Sequence, residues 1–401
     1  MRQKKLMLLG GIRYLLPAIE AAHWHGCHVI TVDYLPNNIA HKYSDEYHNV
    51  SILDKEAVLR LAKELEIDGI LSYAVDPGVV TAAYVAEQMG LPFTCSYEVA
   101  CILQDKARFR QYLSDNGFNV PKAKGYTKAE DALKDFSYFN WPVIVKPVDS
   151  AGSKGVTRVD DPKDLEVAIS HAFEESHNGH IIIEDFLEKE GLSSGSESFF
   201  VNGELKYNAF YDQYFDKDAA NPFTPSAECW PSDKSEQVLD DVRRQLQRLG
   251  ELLHFRTGLF NVEFRQCKDN KVYLMEVSPR AGGNRLAEIL NYATDVDIIE
   301  AEVAKAIGEE LPEVHEPNYN GHYCIQVIHS DKAGIFEGIS IGDQLRGDIV
   351  EQEIRVNQSA AVEAFSGANN AIGTLFLHFD TREELERAIT NQKDWLKVVV
   401  K

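Results

Sequence analysis

The stretch LMEVSPRAGGNRL, residues 274–286, contains side chains of the types that take part in catalysis and ligand binding. Glu276 closes an apolar run, and Arg280 and Gly282-Gly283 follow it directly. A buried carboxylate is unfavourable unless it is paired with a cation or binds a metal. The glycines would let a substrate come close to the backbone. What this combination does depends on partners elsewhere in the chain.

A second acid, Glu263 in NVEF, interrupts the apolar run before Glu276. The segment GLFNVEFRQCKDNKVYLMEV predicts a hairpin that turns at Asp269-Asn270, which places the two acids on adjacent strands. Mg²⁺ accepts carboxylate oxygens and fills its other positions with phosphate and water. Two solvent-facing strand glutamates are the alternative. The pair, with Arg280 and two glycines after it, favours a metal site.

The segment IVKPVDSAGSKGV predicts a strand that ends at Lys146 and a loop that contains Gly152, Ser153, Lys154 and Gly155. Small residues let backbone N–H groups approach phosphate oxygens, and lysines add positive charge. The loop lacks the spacing of a Walker A loop. A phosphate-binding loop and a plain β-turn are both compatible with it.

The segment IIIEDFLEKEGLSSGSE predicts an apolar strand that ends in Glu184 and Asp185, followed by Phe186 and Leu187. Backbone groups at such a strand end can bind an adenine ring between apolar side chains. A later acid, Glu197, could accept hydrogen bonds from ribose hydroxyls. A strand that runs into an acidic loop is an equally good interpretation.

Residues 1 to about 100 alternate between strands and helices, which predicts a parallel sheet with right-handed crossovers. Ligands of such sheets bind beyond the carboxyl ends of the strands. These ends carry Gly10-Gly11, Asp33 and the predicted turn Asp76-Pro77-Gly78. A Rossmann oxidoreductase is the rival interpretation, but the G-x-G-x-x-G pattern is missing after Gly10-Gly11.

From about residue 104 the pattern changes to helices mixed with hairpins. One hairpin turns at Asn202-Gly203, and a long amphipathic helix follows in SEQVLDDVRRQLQRLGELLHF. The aromatic-rich segment from Tyr207 to Trp230 is either a wall of the substrate pocket or an irregular surface loop. After about residue 310 we expect further strands and a helix that closes the chain.

With 401 residues, the chain is too long for one compact core, and we expect two or three domains. Its net charge of −22 disfavours binding to nucleic acid and to anionic membranes. No apolar run approaches the roughly 18 residues of a membrane span, and we expect a cytoplasmic protein.

The cysteines form no CxxC pair, which disfavours zinc. His23, His25 and His28 are best explained as a solvated helix end.

The order of these elements along the chain is the most specific signal. It begins with Lys106 in DKARFRQYL and Lys146 in IVKP, and continues with the GSKG loop, IIIEDFL, NVEF and MEVSPRAGG. The series closely resembles the ATP-grasp superfamily of carboxylate–amine ligases. The similarity is greatest to members like carbamoyl-phosphate synthase, phosphoribosylglycinamide synthetase and L-amino-acid ligase, and it covers nearly the whole chain.

The resemblance implies a mixed α/β and α+β architecture built around an ATP-grasp fold. A Rossmann-like parallel-sheet domain would come first, and a small α+β segment would come last. The boundaries that we expect are 1–103, 104–310 with a lid at about 120–187, and 311–401.

Carried over residue by residue, the resemblance also implies roles. Lys106 and Lys146 would contact the phosphates of ATP. Arg280, with Lys146 as the other catalytic group, would stabilise the transferring phosphoryl group and the carboxylate that it joins. The remaining roles are the flap over the phosphates (Gly152, Ser153, Lys154, Gly155), the adenine site (Glu184, Asp185, Phe186, Leu187), the ribose site (Glu197, with Glu190 as competitor) and the Mg²⁺ ligands (Glu263, Glu276, Ser278). Ser278 stands where many members have asparagine, which leaves a second metal position open.

The implied reaction is attack of a substrate carboxylate on the γ-phosphate of ATP, followed by displacement of phosphate from the acyl phosphate by an amine. ATP and Mg²⁺ are the implied cofactors, with Mn²⁺ as an alternative metal. The implied partners are a small-molecule carboxylate and an amine, and a homodimer is left open. A nucleotide-binding protein of the same fold without catalysis also stays open. No feature of the sequence identifies the acid or the amine.

Overall fold

A computed structural model describes residues 2–149 and 155–401 of the chain. The first part contains the strands β1 (Lys5–Leu9), β2 (His28–Val32), β3 (Glu46–His48) and β4 (Gly69–Leu71), with the helices α1 (Leu16–Trp24), α2 (Lys55–Leu65) and α3 (Asp76–Met89). The strands pair in parallel in the order β3-β2-β1-β4. Consecutive residues of β1 are buried because helices cover both faces of such a sheet. The predicted parallel sheet is confirmed, although the sequence analysis missed β3.

The predicted turn at Asp76-Pro77-Gly78 is wrong. These residues form the first turn of α3. Proline suits this position because its missing N–H would have no partner there, and an acid is favourable near the positive end of the helix. A Cβ on Gly78 would lie 2.5 Å from Oγ of Ser72, so a glycine is required for close packing.

Two helices, α4 (Tyr97–Gln104) and α5 (Lys106–Asp115), lead into the second part of the chain. Asp105 separates them, and its carboxylate accepts hydrogen bonds from the backbone N–H groups of Ala107 and Arg108 at 2.9 and 3.0 Å. This cap fixes the start of α5. Lys106 therefore lies in the first turn, and Arg110 lies one turn later on the same face.

A small antiparallel sheet follows. Its elements are β5 (Ala123–Tyr126), α6 (Ala129–Lys134), β6 (Val143–Pro147), β7 (Thr157–Val159), α7 (Leu165–Glu174) and β8 (Ile181–Asp185). The strands pair in the order β5-β8-β6-β7. The unit has its own hydrophobic core, to which Val143, Leu165 and Ile183 contribute. It lies within the range expected for the lid, and its action as a lid remains a prediction.

The rest of the chain contains the largest sheet and a separate three-stranded sheet. Its elements are β9 (Ser193–Val201), β10 (Glu204–Phe215), β11 (Pro225–Trp230), α8 (Glu236–Leu253), β12 (Gly258–Gln266), β13 (Val272–Ser278), α9 (Leu286–Ala293), α10 (Ile298–Ala306), β14 (His322–Ile328), β15 (Gly334–Ile341), β16 (Ile349–Ile354), β17 (Ala361–Val362), β18 (Gly373–Phe379), α11 (Arg382–Thr390), α12 (Gln392–Trp395) and β19 (Leu396–Val400). Eight strands pair in the order β13-β12-β9-β10-β11-β14-β18-β16, and β17-β15-β19 form a separate sheet. The hairpin turn at Asn202-Gly203 is confirmed, with φ values of 51° and 82°.

Two expectations about this part are corrected. The aromatic-rich segment is not an irregular loop, because most of it forms β10 and β11 in the middle of the sheet. The chain closes with β19 and not with a helix. The eight-stranded sheet also contains strands from both sides of residue 310, while the expected domain boundaries remain a prediction. Among the described residues, no helix has the length and apolar character needed to cross a membrane.

Candidate active site

Glu263 and Glu276 lie directly opposite each other on β12 and β13. Like charges in this arrangement repel, since side chains of a cross-strand pair are only about 5 Å apart at Cβ. Burial raises the pKa of Glu263, and the charge of Glu276 raises it further. Glu276 is 30% exposed, so one side of the pair stays open. The two carboxylates have the chemistry of a divalent cation site.

Two cations approach the open side of this pair. Nζ of Lys106 lies 3.8 Å from Oε2 of Glu276, and Nη2 of Arg280 lies 3.9 Å from Oε1. A small cavity is lined by Lys106 and Glu276 together with Asp76 and Asp149. The structure therefore brings together three of the predicted site residues from α5, β13 and the turn after β13.

Asp76 holds Arg280 in place. Its Oδ1 accepts hydrogen bonds from Nε of Arg280 at 2.6 Å and forms an ion pair with Nη2 at 2.5 Å. The guanidinium is only 8% exposed, so the planar group has a fixed orientation. Asp76 follows a predicted strand in the sequence, but no role was predicted for it. Its position in the first turn of α3, beyond the carboxyl end of β4, was the available signal.

Ser278 lies two residues after Glu276 and on the same face of β13. Its hydroxyl is fully buried, accepts a hydrogen bond from Nε2 of Gln104 at 2.6 Å and donates one to Asp76 at 3.2 Å. The hydroxyl thus connects β13 to α3 and α4. Its role as a metal ligand remains a prediction.

Glu184 lies between two cations in the lid region. Oε1 accepts from Nζ of Lys146 at 2.5 Å, and Oε2 accepts from Nε of Arg110 at 3.1 Å. Burial opposes the charge of Glu184, but Lys146 and Arg110 outweigh it and lower the pKa to about 2. Burial also lowers the pKa of Lys146 to about 8. Arg110 was missed, although its position one turn after Lys106 could have indicated it.

The residues after Glu184 have contacts of their own. Asp185 accepts hydrogen bonds from the backbone N–H and Nδ2 of Asn140 at 2.9 and 2.7 Å. The guanidinium of Arg158 lies 4.2 Å from the ring centre of Phe186. Leu187 packs beside the buried cluster of Cys267, Tyr273 and Met275. An apolar surface thus lies next to the polar strand end, as an adenine site requires, and the adenine contacts remain a prediction.

Of the predicted flap, Gly152, Ser153 and Lys154 lie outside the described residues. Gly155 has a φ of +68°, which favours glycine. A Cβ at this position would lie 2.8 Å from Cγ of Pro147 and from Cβ of Glu175. Both the backbone conformation and the packing therefore require a glycine here.

Glu197 does not have the surroundings that a ribose contact predicts. It is fully buried on β9, and its carboxylate accepts hydrogen bonds from Nδ2 of Asn261 at 2.6 Å and from the N–H of Gly282 at 3.1 Å. Burial raises the pKa of Glu197 to about 7, against the effect of these donors and of Arg280. The structure thus places Glu197 beneath the turn that follows Arg280. The competitor Glu190 is exposed, and its carbonyl accepts from Nζ of Lys234.

A second cluster of polar side chains, which was not predicted, lies just after Gly282-Gly283. Nδ2 of Asn284 donates to Oε2 of Glu228 on β11 at 2.6 Å. Arg285 forms hydrogen bonds with Thr374 at 3.0 Å and with Glu288 at 2.9 Å. Glu228 and Thr374 come from distant parts of the chain, so the spacing of these contacts in the sequence carries no signal.

The glycines after β1 serve packing, and the histidines at the end of α1 and the start of β2 make surface contacts. A Cβ on Gly11 would lie 2.5 Å from the ring of His41, which explains the glycine without a bound phosphate. His23 and His28 pair with acids of the surface and share no ligand site. Within the described residues, a group of three such side chains occurs at Asp216, His329 and Asp331, where Nζ of Lys393 already lies 3.3 and 3.4 Å from the two acids.

Residues 139–288 match the family model of the ATP-grasp domain. The chain contains an ATP-grasp domain. This match includes β6, β8, β12 and β13, the strands that carry Lys146, Glu184, Glu263 and Glu276. The expected fold class is confirmed by solved structures of the ATP-grasp fold, which align with the whole chain.

Among these structures, L-amino acid ligase from Bacillus licheniformis has a TM-score of 0.82 at 20% identity, and phosphoribosylglycinamide synthetase from Anaerococcus prevotii has a TM-score of 0.76 at 20% identity; both alignments cover 100% of each chain. The biotin carboxylase domain of the Hydrogenobacter thermophilus 2-oxoglutarate carboxylase, in complex with MgADP and bicarbonate, has a TM-score of 0.75 at 16% identity, over 100% of this chain and 92% of that one. Similarity at these identities shows the fold.

Curated relatives include the carbamoyl phosphate synthase large chain of Ralstonia nicotianae. It is 23% identical over 368 residues, which are 81% of this chain and 31% of that protein. The chain thus spans about a third of the length of this relative. The alignment therefore does not show that this chain has the activity of the whole relative.

Proposed function

We propose that the protein is an ATP- and Mg²⁺-dependent, ADP-forming ligase that activates a substrate carboxylate as an acyl phosphate and joins it to an amine. The opposed pair Glu263 and Glu276, with Lys106 and Arg280 within 4 Å of Glu276, carries this proposal. Two acids that repel each other thus lie beside a lysine and an arginine. A metal–triphosphate complex would bring a cation to the two acids and phosphate oxygens to the two basic side chains.

The residues fit Mg²⁺. Burial raises the pKa of Glu263 and the charge of Glu276 raises it further, and a divalent cation would oppose both effects. Glu263 and Glu276 would hold the ion, with the buried Ser278 as a further candidate. When bound, Mg²⁺ supplies positive charge that neutralises the phosphate oxygens during transfer.

The side chains of the chain position the reactants. Lys106 and Lys146 would bind phosphate oxygens, and Lys146 remains mostly protonated at neutral pH because its pKa is about 8. Arg280, oriented by Asp76, would align the substrate carboxylate with the γ-phosphorus. A carboxylate oxygen then attacks phosphorus, and ADP leaves with the electron pair of the broken P–O bond.

The similar proteins support this proposal by their names. They include a ligase, a synthetase and a domain bound to MgADP with bicarbonate. We infer small-molecule acid and amine substrates on the same grounds. A cytoplasmic location and a homodimer remain predictions.

The decisive experiment is a screen of acid–amine pairs for release of ADP and phosphate, with and without Mg²⁺. We expect release that requires the acid and is increased by the amine. Binding of ATP without acid-stimulated ADP release would show a non-catalytic nucleotide-binding protein. Saturable binding of NADH would favour the oxidoreductase alternative.

A further inference from the structure

Glu228, in the middle of β11, is a buried carboxyl group that the proposed chemistry of ATP does not use. It is 4% exposed, and Oε2 accepts one hydrogen bond, from Asn284 at 2.6 Å. Within residues 2–149 and 155–401, its Oε1 has no hydrogen-bond partner, and no basic side chain forms an ion pair with it. A buried carboxylate is costly without such compensation. Among the described residues, no cation compensates a negative charge on Glu228.

The register of the sheet places Glu228 on the face that carries the metal candidates. Glu263 pairs with Gly195 on β9, and Gly195 pairs with Tyr211 on β10. Two residues after Tyr211, Gln213 pairs with Glu228. Because alternate residues of a strand share a face, Glu228 and Glu263 point to the same side of the sheet.

The turn after Arg280 connects the two groups across this face. The N–H of Gly282 donates to Glu197 on β9, and two residues later Asn284 donates to Glu228 on β11. Asn284 and Arg285 have φ values of 55° and 69°, which are unfavourable for residues other than glycine. Their side-chain contacts hold this conformation. Glu228 therefore lies at a preorganised turn next to the reacting region.

The protonation state of Glu228 can change when a ligand binds. Burial raises its pKa to about 8, and the hydrogen bond from Asn284 only partly opposes this. The titratable groups near it are Tyr211 on β10 and Cys324 on β14, and burial raises the pKa of both well above the ordinary value. Both are neutral at pH 7. A bound ammonium group would supply the missing opposite charge.

We propose that Glu228 binds the amine substrate in its ammonium form and accepts the proton that must leave before the nitrogen attacks the acyl phosphate. The substrate class is thus an amine that is protonated at neutral pH. The nitrogen lone pair forms the C–N bond, and the bond between the acyl carbon and the phosphate oxygen breaks. Phosphate leaves with that electron pair. The second N–H proton passes to the phosphate, and Glu228 returns its proton to solvent.

This inference rests on the proposed ligase function, so the experiment separates the two half-reactions. Hydroxylamine traps an acyl phosphate and is largely unprotonated at neutral pH, whereas ammonia and primary amines are largely protonated. The variant Glu228→Gln keeps the size and the acceptor for Asn284 but cannot take a proton. We expect unchanged acid-dependent hydroxamate formation and a loss of about a hundredfold or more in kcat/KM for ammonium chloride, or for the primary amine found in the screen. The acidic limb of the pH–rate profile for the amine should also disappear.

Two further variants complete the test. Glu204→Gln removes an exposed charge at the start of β10 and should leave both reactions unchanged. Glu197→Gln tests the competing buried acid. If Glu228→Gln is not folded by circular dichroism, Glu228→Asp takes its place, with an increased KM for the amine and normal hydroxamate formation as the expected result.

Three results would overturn the inference. Amide formation by Glu228→Gln at the wild-type rate would exclude the role, and so would an amine-specific loss in Glu197→Gln that Glu228→Gln does not show. An increased Mg²⁺ requirement in Glu228→Gln would make Glu228 a metal ligand instead. Absence of acid-dependent ADP release from the wild-type protein would overturn the proposed function, and the inference with it.

Discussion

Glu184 and Glu228 are both buried glutamates on strands, but the protein treats them in opposite ways. Glu184 lies between Lys146 and Arg110, and its pKa is lowered to about 2. Glu228 has an amide as its hydrogen-bond donor, and burial raises its pKa to about 8. Desolvation acts on both carboxyl groups in the same direction. The cations beside Glu184 make the difference.

The charges around Glu184 are already paired, whereas among the described residues no cation pairs with Glu228. The region around Glu184 needs its ions in place before a nucleotide arrives, since a lysine that is held by a carboxylate is preorganised. The region around Glu228 gains its compensating charge only when a cationic ligand binds. We therefore expect changes in the first region to affect stability and ATP, and changes in the second to affect the amine.

The largest effect should come from the acid pair Glu263 and Glu276. Glu276→Gln removes one carboxylate of the metal site and should lower ATP-dependent turnover by about a thousandfold. The fold should persist because Glu276 is partly exposed. Turnover is measured as ADP release at saturating Mg²⁺, with Glu204→Gln as the control for loss of a surface charge. Near-normal turnover at ordinary Mg²⁺ would remove Glu276 from the site.

Glu184→Gln should destabilise the protein, because it leaves Lys146 and Arg110 buried without a counter-charge. We expect the free energy of unfolding to fall by about 3 kcal/mol at pH 7. Since the pKa of Glu184 is about 2 in the folded protein and 4.5 ordinarily, the advantage of the wild type is present above pH 4.5 and is lost as the pH falls toward 2. Urea unfolding of both proteins at several pH values measures it. A difference that does not decrease below pH 4.5 would contradict the ion-pair explanation.

Glu228→Gln should show the opposite dependence on pH. The pKa of Glu228 is about 8 in the folded protein and 4.5 ordinarily, so its contribution to stability is present below pH 4.5 and is lost as the pH rises to 8. Relative to the variant, the wild type should lose about 5 kcal/mol of stability over this interval. The same unfolding series measures this. A flat difference between pH 5 and pH 8 would show that Glu228 is already charged and compensated.

The two regions also differ in how far the sequence could predict them. Lys146, Glu184, Glu263 and Glu276 each end or interrupt an apolar strand, and they follow one another in the order of the elements that carry them. Local pattern and order were sufficient to select them as candidates, and their roles remain predictions. The parallel sheet at the start of the chain was predicted for the same reason, since strands and helices alternate regularly.

Contacts between distant segments were not predictable in this way. Asp76 reaches Arg280 across 204 positions of the chain, and Glu228 reaches Asn284 across 56. Register and strand order decide such contacts, and neither can be counted from the sequence. The contact of Glu197 with Gly282 was unpredictable for the same reason, because Gly282 lies 85 positions away, and the ribose role of Glu197 remains a prediction.

Arg280→Lys tests whether the arginine acts on the transferring group or on the bound nucleotide. Lysine keeps the charge but loses the planar group that can hold two oxygens at once. We expect turnover to fall by about a hundredfold with little change in ATP affinity. Nucleotide titration and ADP release are measured together. Weak ATP binding with normal turnover at saturation would show a nucleotide clamp instead.

The smallest effect should come from Asp76→Asn, because Asp76 acts on the reaction only through Arg280. Asparagine can still accept a hydrogen bond from Nε, but it loses the ion pair with Nη2, so the guanidinium is held less firmly. We expect kcat to fall by about tenfold while the KM for ATP stays the same.

A double-mutant cycle separates this positioning role from a general loss of stability. If Asp76 works through Arg280, the double variant Asp76→Asn/Arg280→Lys should be no slower than Arg280→Lys alone, because interacting residues are not additive. Asp33→Asn is the matched control, since Asp33 lies at the carboxyl end of β2 in the same sheet and accepts a hydrogen bond from Asn38. Additive losses in the double variant would show that Asp76 contacts the reactants directly or stabilises the domain contact independently of Arg280. Equal losses in Asp76→Asn and Asp33→Asn would assign the effect to the first sheet as a whole.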